Sequence, residues 1–211
     1  MGEPGQRDEQ VEPVEHVVVS AIGVPVGIPA PPALAERLRR QWSRALSDDP
    51  PQVSVDLIGL DPEDGLVTDY AITSRVTLAA LEETAGRRLS IHAGAVADAD
   101  GRALVVIGAS GSGKTTAVGR LARRLGYLSD ETASMDDDLR VHPHPKPLSV
   151  VVDPDHPRTK SSVSPDDVGL VVPPEVAHLH RIVVLRRGQL AGERRIDQTD
   201  HDDVVKLMVG G

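Results

Sequence analysis

The segment Gly108-Ala109-Ser110-Gly111-Ser112-Gly113-Lys114-Thr115 satisfies the pattern G-x-x-x-x-G-K-[ST] at every required position, and its flanks limit the folds open to this chain. The apolar run Ala103 to Ile107 reads as a buried strand. Ala117, Val118, Leu121, Ala122 and Leu125 recur at helical spacing beyond the loop, and Gly126 closes the run. A strand, a glycine turn and a helix in this order direct successive backbone N–H groups and the positive end of the helix at one anion. The expected ligand is a nucleoside triphosphate such as ATP, bound by Gly108, Ala109, Ser110, Gly111, Ser112, Gly113, Lys114, Thr115 and Thr116. Lys114 would reach the β- and γ-phosphates, and the Thr115 hydroxyl would ligate Mg²⁺. The fold class that follows is α/β, a P-loop nucleotide-binding domain with a mixed sheet and flanking helices.

Composition narrows the alternatives. The chain of 211 residues has no Phe, one Trp and two Tyr, so its core must be aliphatic and base stacking on aromatic platforms is disfavoured. A net charge of −9 repels a polyphosphate backbone, which argues against nucleic acid as partner. The absence of Cys excludes disulfides and thiolate metal sites and fits a reducing compartment, so a cytoplasmic location is expected. Residues 1–15 are acidic and Pro-containing, lack the features of a signal peptide and read as a disordered tail. Val17 to Ala35 carries no charge, but Pro25, Pro29, Pro31 and Pro32 argue against a membrane span.

Residues 16–86 read as an α/β segment packed on a nucleotide-binding core formed by residues 87–211. Val17 to Ile28 reads as one or two strands, Pro31 to Leu46 as a helix with Leu34, Leu38, Trp42 and Leu46 on one stripe, and Val53 to Leu60 as another strand. Tyr70 to Ala85 reads as a helix. Leu89 to Ala97 and Arg102 to Ile107 flank the turn Asp98-Ala99-Asp100-Gly101 as a hairpin that leads into the glycine loop. Further strands are expected at Ser149 to Val152 and Arg181 to Leu185.

Phosphoryl transfer needs a carboxylate to organise a metal and a base near the acceptor hydroxyl. Asp130 and Glu131 follow the short run Tyr127-Leu128-Ser129, and Asp153 ends Ser149 to Val152. Each of these acids is also an ordinary strand-terminal turn residue. Position favours the pair, because a strand returning from the loop's own helix can lie beside the strand that feeds the loop and end at the same sheet edge. Lys146, between two prolines, is a candidate for a phosphate or the acceptor. His142 and His144, and likewise His178 and His180, alternate as zinc ligands on one strand face do, but no third ligand stands at a suitable spacing. Asp136-Asp137-Asp138 reads as an exposed hairpin turn.

The stretch Ser90 to Val150 resembles the nucleotide-binding core of the HPr kinase/phosphorylase-like proteins, which are similar in turn to phosphoenolpyruvate carboxykinase. The resemblance rests on an ordered set: His-Ala-x-Ala-Val, the glycine loop, the acid pair and a Lys-Pro-Leu segment. It implies that His92 lies near the transferred phosphate, that Asp130 takes the proton from a serine hydroxyl and that Glu131 serves the divalent metal. The catalytic set is then Asp130, His92 and Lys114, and the metal set Thr115 and Glu131. Read without the resemblance, His92 is a half-buried structural histidine, pointing opposite to Ile91 and Ala93.

The pair here is Asp-Glu where the family has Asp-Asp. The later Glu-x-Arg-Gly signature is missing, with Glu193-Arg194-Arg195 the nearest string, so HPr itself is not implied as the acceptor. The chain also ends where many relatives continue, so a shortened C-terminal region is expected. The expected activity is ATP-dependent transfer to a Ser/Thr-type hydroxyl on a protein or peptide. The alternatives are a nucleotide-dependent binding module of slow turnover and a small-molecule kinase. Relatives of this group are often oligomeric, and no residue here marks a homo-oligomer interface.

Overall fold

The computed structural model describes residues 14–62, 64–151 and 160–200, together with 203 and 206. Asp153 lies outside them, as do residues 1–13 and 207–211. The described residues form a mixed α/β structure with three α-helices and several sheets.

The uncharged N-terminal run is a hairpin. Strands β1 (Glu15–Ala21) and β2 (Val24–Ala30) pair antiparallel across Ile22 and Gly23, whose φ values of 46° and 78° give the doubly left-handed turn that matches strand twist. Glu15 therefore belongs to a strand rather than to a tail. Among the described residues no helix is long and apolar enough to cross a membrane. Helix α1 (Pro32–Gln41) starts with proline in its first turn and buries Leu34, Ala35 and Leu38.

The helical stripe ends sooner than its periodicity implies. Trp42 is buried, but a 3₁₀ turn follows at Ser43–Ala45 and Leu46 is exposed. Here tertiary bonds override the pattern: Ser43 and Arg44 both bind the Asp166 carboxylate, and Arg44 also reaches the Leu170 and Val171 carbonyls. Strand β3 is only Val53–Ser54, beside β2, instead of a strand to Leu60. The Asp56 carboxylate accepts from Ile58 N–H, and Arg75 binds the Asp56 and Ile58 carbonyls, which turns the chain away. Helix α2 (Gly65–Thr84) lays Ile72, Val76 and Ala80 against β1 and β2, enclosing an aliphatic core around Trp42.

The expected single strand from Leu89 to Ala97 is two. Strand β4 (Leu89–His92) and strand β5 (Gly94–Ala97) enter different sheets, the chain crossing at Ala93. Strand β5 forms the expected hairpin with β6 (Arg102–Gly108), its turn held by the Asp98 carboxylate, which accepts from Asp100 and Arg102 N–H. Helix α3 (Lys114–Leu121) stops one turn before its apolar spacing ends. Then come β7 (Gly126–Ser129), β8 (Thr132–Met135), β9 (Val141–His142), β10 (Leu148–Val151), β11 (Lys160–Val163), β12 (His178–Arg186) and β13 (Gln189–Arg195).

The central sheet has the order β13-β12-β6-β5-β7. Strand β6 is parallel to β12 and antiparallel to β5, which is antiparallel to β7. Strand β7 is thus not the neighbour of β6 that chain order implies, because the hairpin partner β5 takes that place and α3 crosses over it. Gly94 makes this crossing fit: a Cβ there would stand 2.3 Å from Val118 Cγ2. The ends of β6 and β7 still meet at one edge of the sheet, where Gly94 begins β5. Strand β4 joins β8 and β9 in a second sheet, and β10 pairs with β11.

Candidate functional site

The sheet edge where β6 and β7 end opens into a cleft of about 1460 Å³. Its floor is the loop between β6 and α3. Gly108 touches the neighbouring strand so closely that a Cβ would lie 2.4 Å from the Leu185 carbonyl oxygen, and the Gly188 N–H donates to the Ser112 carbonyl at 3.1 Å. The β12–β13 turn thus braces the loop from outside. Gly113, at φ 92°, turns the chain into α3.

Lys114 is buried and folds back across the loop, its Nζ donating to the Gly108 carbonyl at 2.9 Å and the Ala109 carbonyl at 3.2 Å. Ser112 Oγ is buried without a partner. The first N–H groups of α3 have no carbonyl one turn earlier to bind, so they point out of the loop with the positive helix end. Thr115 and Thr116 are exposed and line the cleft. Together these groups form a cationic, donor-rich cradle, the chemistry that fits a phosphate chain.

The acid pair stands across the cleft. Asp130 directly follows β7 and is 9 % exposed, and Glu131 leads into β8 with its side chain 53 % exposed. The buried Tyr127 hydroxyl donates to Asp130 Oδ1 at 2.9 Å. Burial first, and then the Asp130 charge, raise the Tyr127 phenol well above its ordinary range, so it stays a donor. No described residue donates to Asp130 Oδ2. The Ser129 hydroxyl accepts from Glu131 and Thr132 N–H and fixes the turn that presents both acids.

His92 ends β4 directly opposite Thr132, and the Ala93 N–H donates to the Glu131 carbonyl at 3.0 Å. The crossover between sheets thereby brings His92 and the acid pair to the same wall. His92 is exposed toward the cleft rather than half-buried as a structural histidine. Ser110, Gly111 and Gly113 of the glycine loop, Lys114, Thr115, Thr116, His92, Asp130 and Glu131 therefore line one cleft, from three segments spread over residues 92–131.

Lys146 joins them. Its ammonium lies 3.0 Å from Glu131 Oε2 and 3.7 Å from Asp130 Oδ1, and its side chain is 8 % exposed. Burial pulls its pKa down, but the Asp130 and Glu131 charges outweigh burial and hold it above the ordinary lysine value. His144, two residues earlier in the same Pro-interrupted segment, is fully buried near Trp42. Its Nε2 lies 2.9 Å from the Thr77 hydroxyl of α2, and its backbone N–H donates to the Leu128 carbonyl. It is an anchor rather than a zinc ligand. His142 instead bonds Asp136, whose carboxylate also caps the exposed turn before β9.

Two walls were not legible in the sequence. One face of α2 contributes Val67, Tyr70, Ser74, Leu78 and Leu81, and the β10–β11 hairpin contributes Ser149, Ser161 and Ser162. The helical spacing of the α2 residues was available, but which face would remain uncovered depends on packing. Nothing in the run Tyr127-Leu128-Ser129 signals that the Tyr127 hydroxyl reaches Asp130. Glu193 and Arg194 are engaged on β13, in ion pairs with Arg181 and Asp203.

For a divalent cation the protein offers hard oxygen donors, the Thr115 hydroxyl and the Glu131 carboxylate, which fit Mg²⁺. Among the described residues no three His, Cys, Asp or Glu side chains cluster as a metal site, so phosphate oxygens would have to complete the coordination. No protein-family model matches the chain, and no curated protein matches it significantly.

Proposed function

We propose that the chain is an ATP-dependent phosphotransferase of the HPr kinase/phosphorylase-like type, built on a P-loop and moving the γ-phosphoryl group of Mg-ATP to a Ser/Thr-type hydroxyl on a protein or peptide. The observation that carries this reading is the convergence on one cleft of Lys114, Thr115, His92, Asp130 and Glu131. Lys114 and the free N–H groups of the glycine loop hold the triphosphate. Thr115 and Glu131 hold Mg²⁺, which when bound neutralises charge on the phosphate oxygens.

Asp130 is the base. Tyr127 and Lys146 address its Oδ1, so Oδ2 is left to accept the acceptor's hydroxyl proton. The acceptor oxygen then bonds to the γ-phosphorus as the bond to the bridging oxygen breaks and ADP departs. His92 flanks the transferred group. Cleft size supports a polypeptide acceptor over a metabolite: small-molecule pockets run to about 300–1,000 Å³, and this open groove of about 1460 Å³ extends along α2 and the β10–β11 hairpin. A cytoplasmic setting, which supplies both ATP and Mg²⁺, suits the activity.

The test is incubation with γ-labelled ATP and Mg²⁺ in native lysate. Label on a polypeptide hydroxyl is expected. Label on a metabolite, or retained wholly in ATP despite binding, refutes the assignment.

A further inference from the structure

The Lys146 ammonium lies against both acids of the pair, and its contact with Glu131 is not used by the transfer step just described. Lys146 is held there by more than its own charge. Pro145 and Pro147 stiffen the chain on either side, and His144 fastens the segment to α2 through Thr77, so the lysine is aimed into the pair by a rigid support. The closer of its two carboxylate contacts is Glu131 Oε2, at 3.0 Å, the group that the functional reading gives to the metal.

We propose that Lys146 is a resident counter-ion that excludes free divalent metal from Glu131 in the nucleotide-free protein and yields that carboxylate only when metal arrives with a triphosphate. This rests on the functional reading above and adds an order of binding to it. In the nucleotide-free site a dication must approach an ammonium that already neutralises part of the pair, and among the described residues no third carboxylate or imidazole clusters with the pair as a metal site to compensate. A bound triphosphate changes the balance. Its oxygens add negative charge and ligands at once, so the ammonium can turn to phosphate while Glu131 takes the metal. Lys146 is thus a positioning residue that acts through Glu131.

The test uses Mn²⁺ alone as the probe, with binding read by electron paramagnetic resonance on the nucleotide-free protein. Lys146→Met should tighten Mn²⁺ binding at least about tenfold, whereas Lys146→Arg, which keeps the charge, should bind as weakly as wild type. Equal Mn²⁺ affinity in wild type and Lys146→Met overturns the proposal.

A second measurement covers a Lys146→Met protein that fails to fold. The chain has four lysines, so a ¹³Cε-lysine spectrum of the wild type is simple to assign, with Lys146→Arg marking the signal. That signal should move with Mg²⁺ plus a non-hydrolysable ATP analogue and stay in place with Mg²⁺ alone. Movement with Mg²⁺ alone, or none with the analogue bound, contradicts the proposal. Failure of the functional reading would show differently, as no calorimetric binding of Mg-ATP by the wild type.

Discussion

Replacing Gly94 by alanine tests how the sheet positions the loop. The added Cβ would meet Val118 Cγ2 at 2.3 Å and the Ser129 carbonyl oxygen at 3.4 Å. Carbon atoms rest about 3.5–4.0 Å apart, so the methyl contact must open by roughly 1.2 Å. Strand β5 is hydrogen-bonded on both sides, to β6 and β7, and cannot retreat. Val118 is fully buried in a helix, where a β-branched side chain has essentially one χ1 rotamer. The strain therefore falls on α3, which begins at Lys114.

Overpacking of this kind costs about 1–3 kcal/mol, which lowers Tm by roughly 2–12 °C in a chain of this size. A shift of about 1 Å in the helix carrying Lys114 should also slow phosphoryl transfer by up to about 100-fold. The assay is a double-mutant cycle by urea unfolding. Val118→Ala removes the clashing methyl, so Gly94→Ala should cost at least about 1 kcal/mol less in that background than in wild type. An unchanged cost in the two backgrounds would refute the packing argument.

Lys114→Met should weaken Mg-ATP binding by roughly 10- to 100-fold, the value of one charged hydrogen bond, and calorimetric titration reads it directly. Acid should destabilise the fold through His144. Burial, with the Lys146 ammonium adding to it, lowers the imidazole pKa from 6.5 to about 3, so the folded state resists a proton that the unfolded chain accepts. Its contribution is nearly complete at pH 7 and is lost as pH falls from 6.5 toward 3, amounting to about 2 kcal/mol between pH 7 and pH 5. His142, also lowered by burial, titrates in the same direction, so the measurement is the difference between wild type and His144→Gln at the two pH values. An equal pH dependence in the two proteins would contradict the burial argument.

What the sequence disclosed was chiefly local. Gly108 to Thr115 announces its turn because the glycines, the lysine and the hydroxyl are all needed within one loop, and Asp130-Glu131 could be ranked above other acids from its place after the next helix. The break at Ala93 was hidden, since Leu89 to Ala97 is one apolar run and only the pairing partners distinguish its halves. Val53 to Leu60 failed for the opposite reason: its pattern suits a strand, but one carboxylate, Asp56, and one distant arginine, Arg75, bind the backbone into a turn. Lys146 could be singled out between its two prolines, but its partner Glu131, and the Thr77 partner of His144, lie on other elements.

The central claim is that Asp130 faces the terminal phosphate of a nucleotide held beside Lys114, and single-turnover transfer from γ-labelled ATP, compared between wild type and Asp130→Asn, tests it most directly. Asparagine keeps the size of the side chain and an acceptor for Tyr127 but cannot take a proton, so nucleotide binding should persist while transfer slows by about 10²- to 10⁴-fold. Transfer at the wild-type rate by Asp130→Asn would contradict the account.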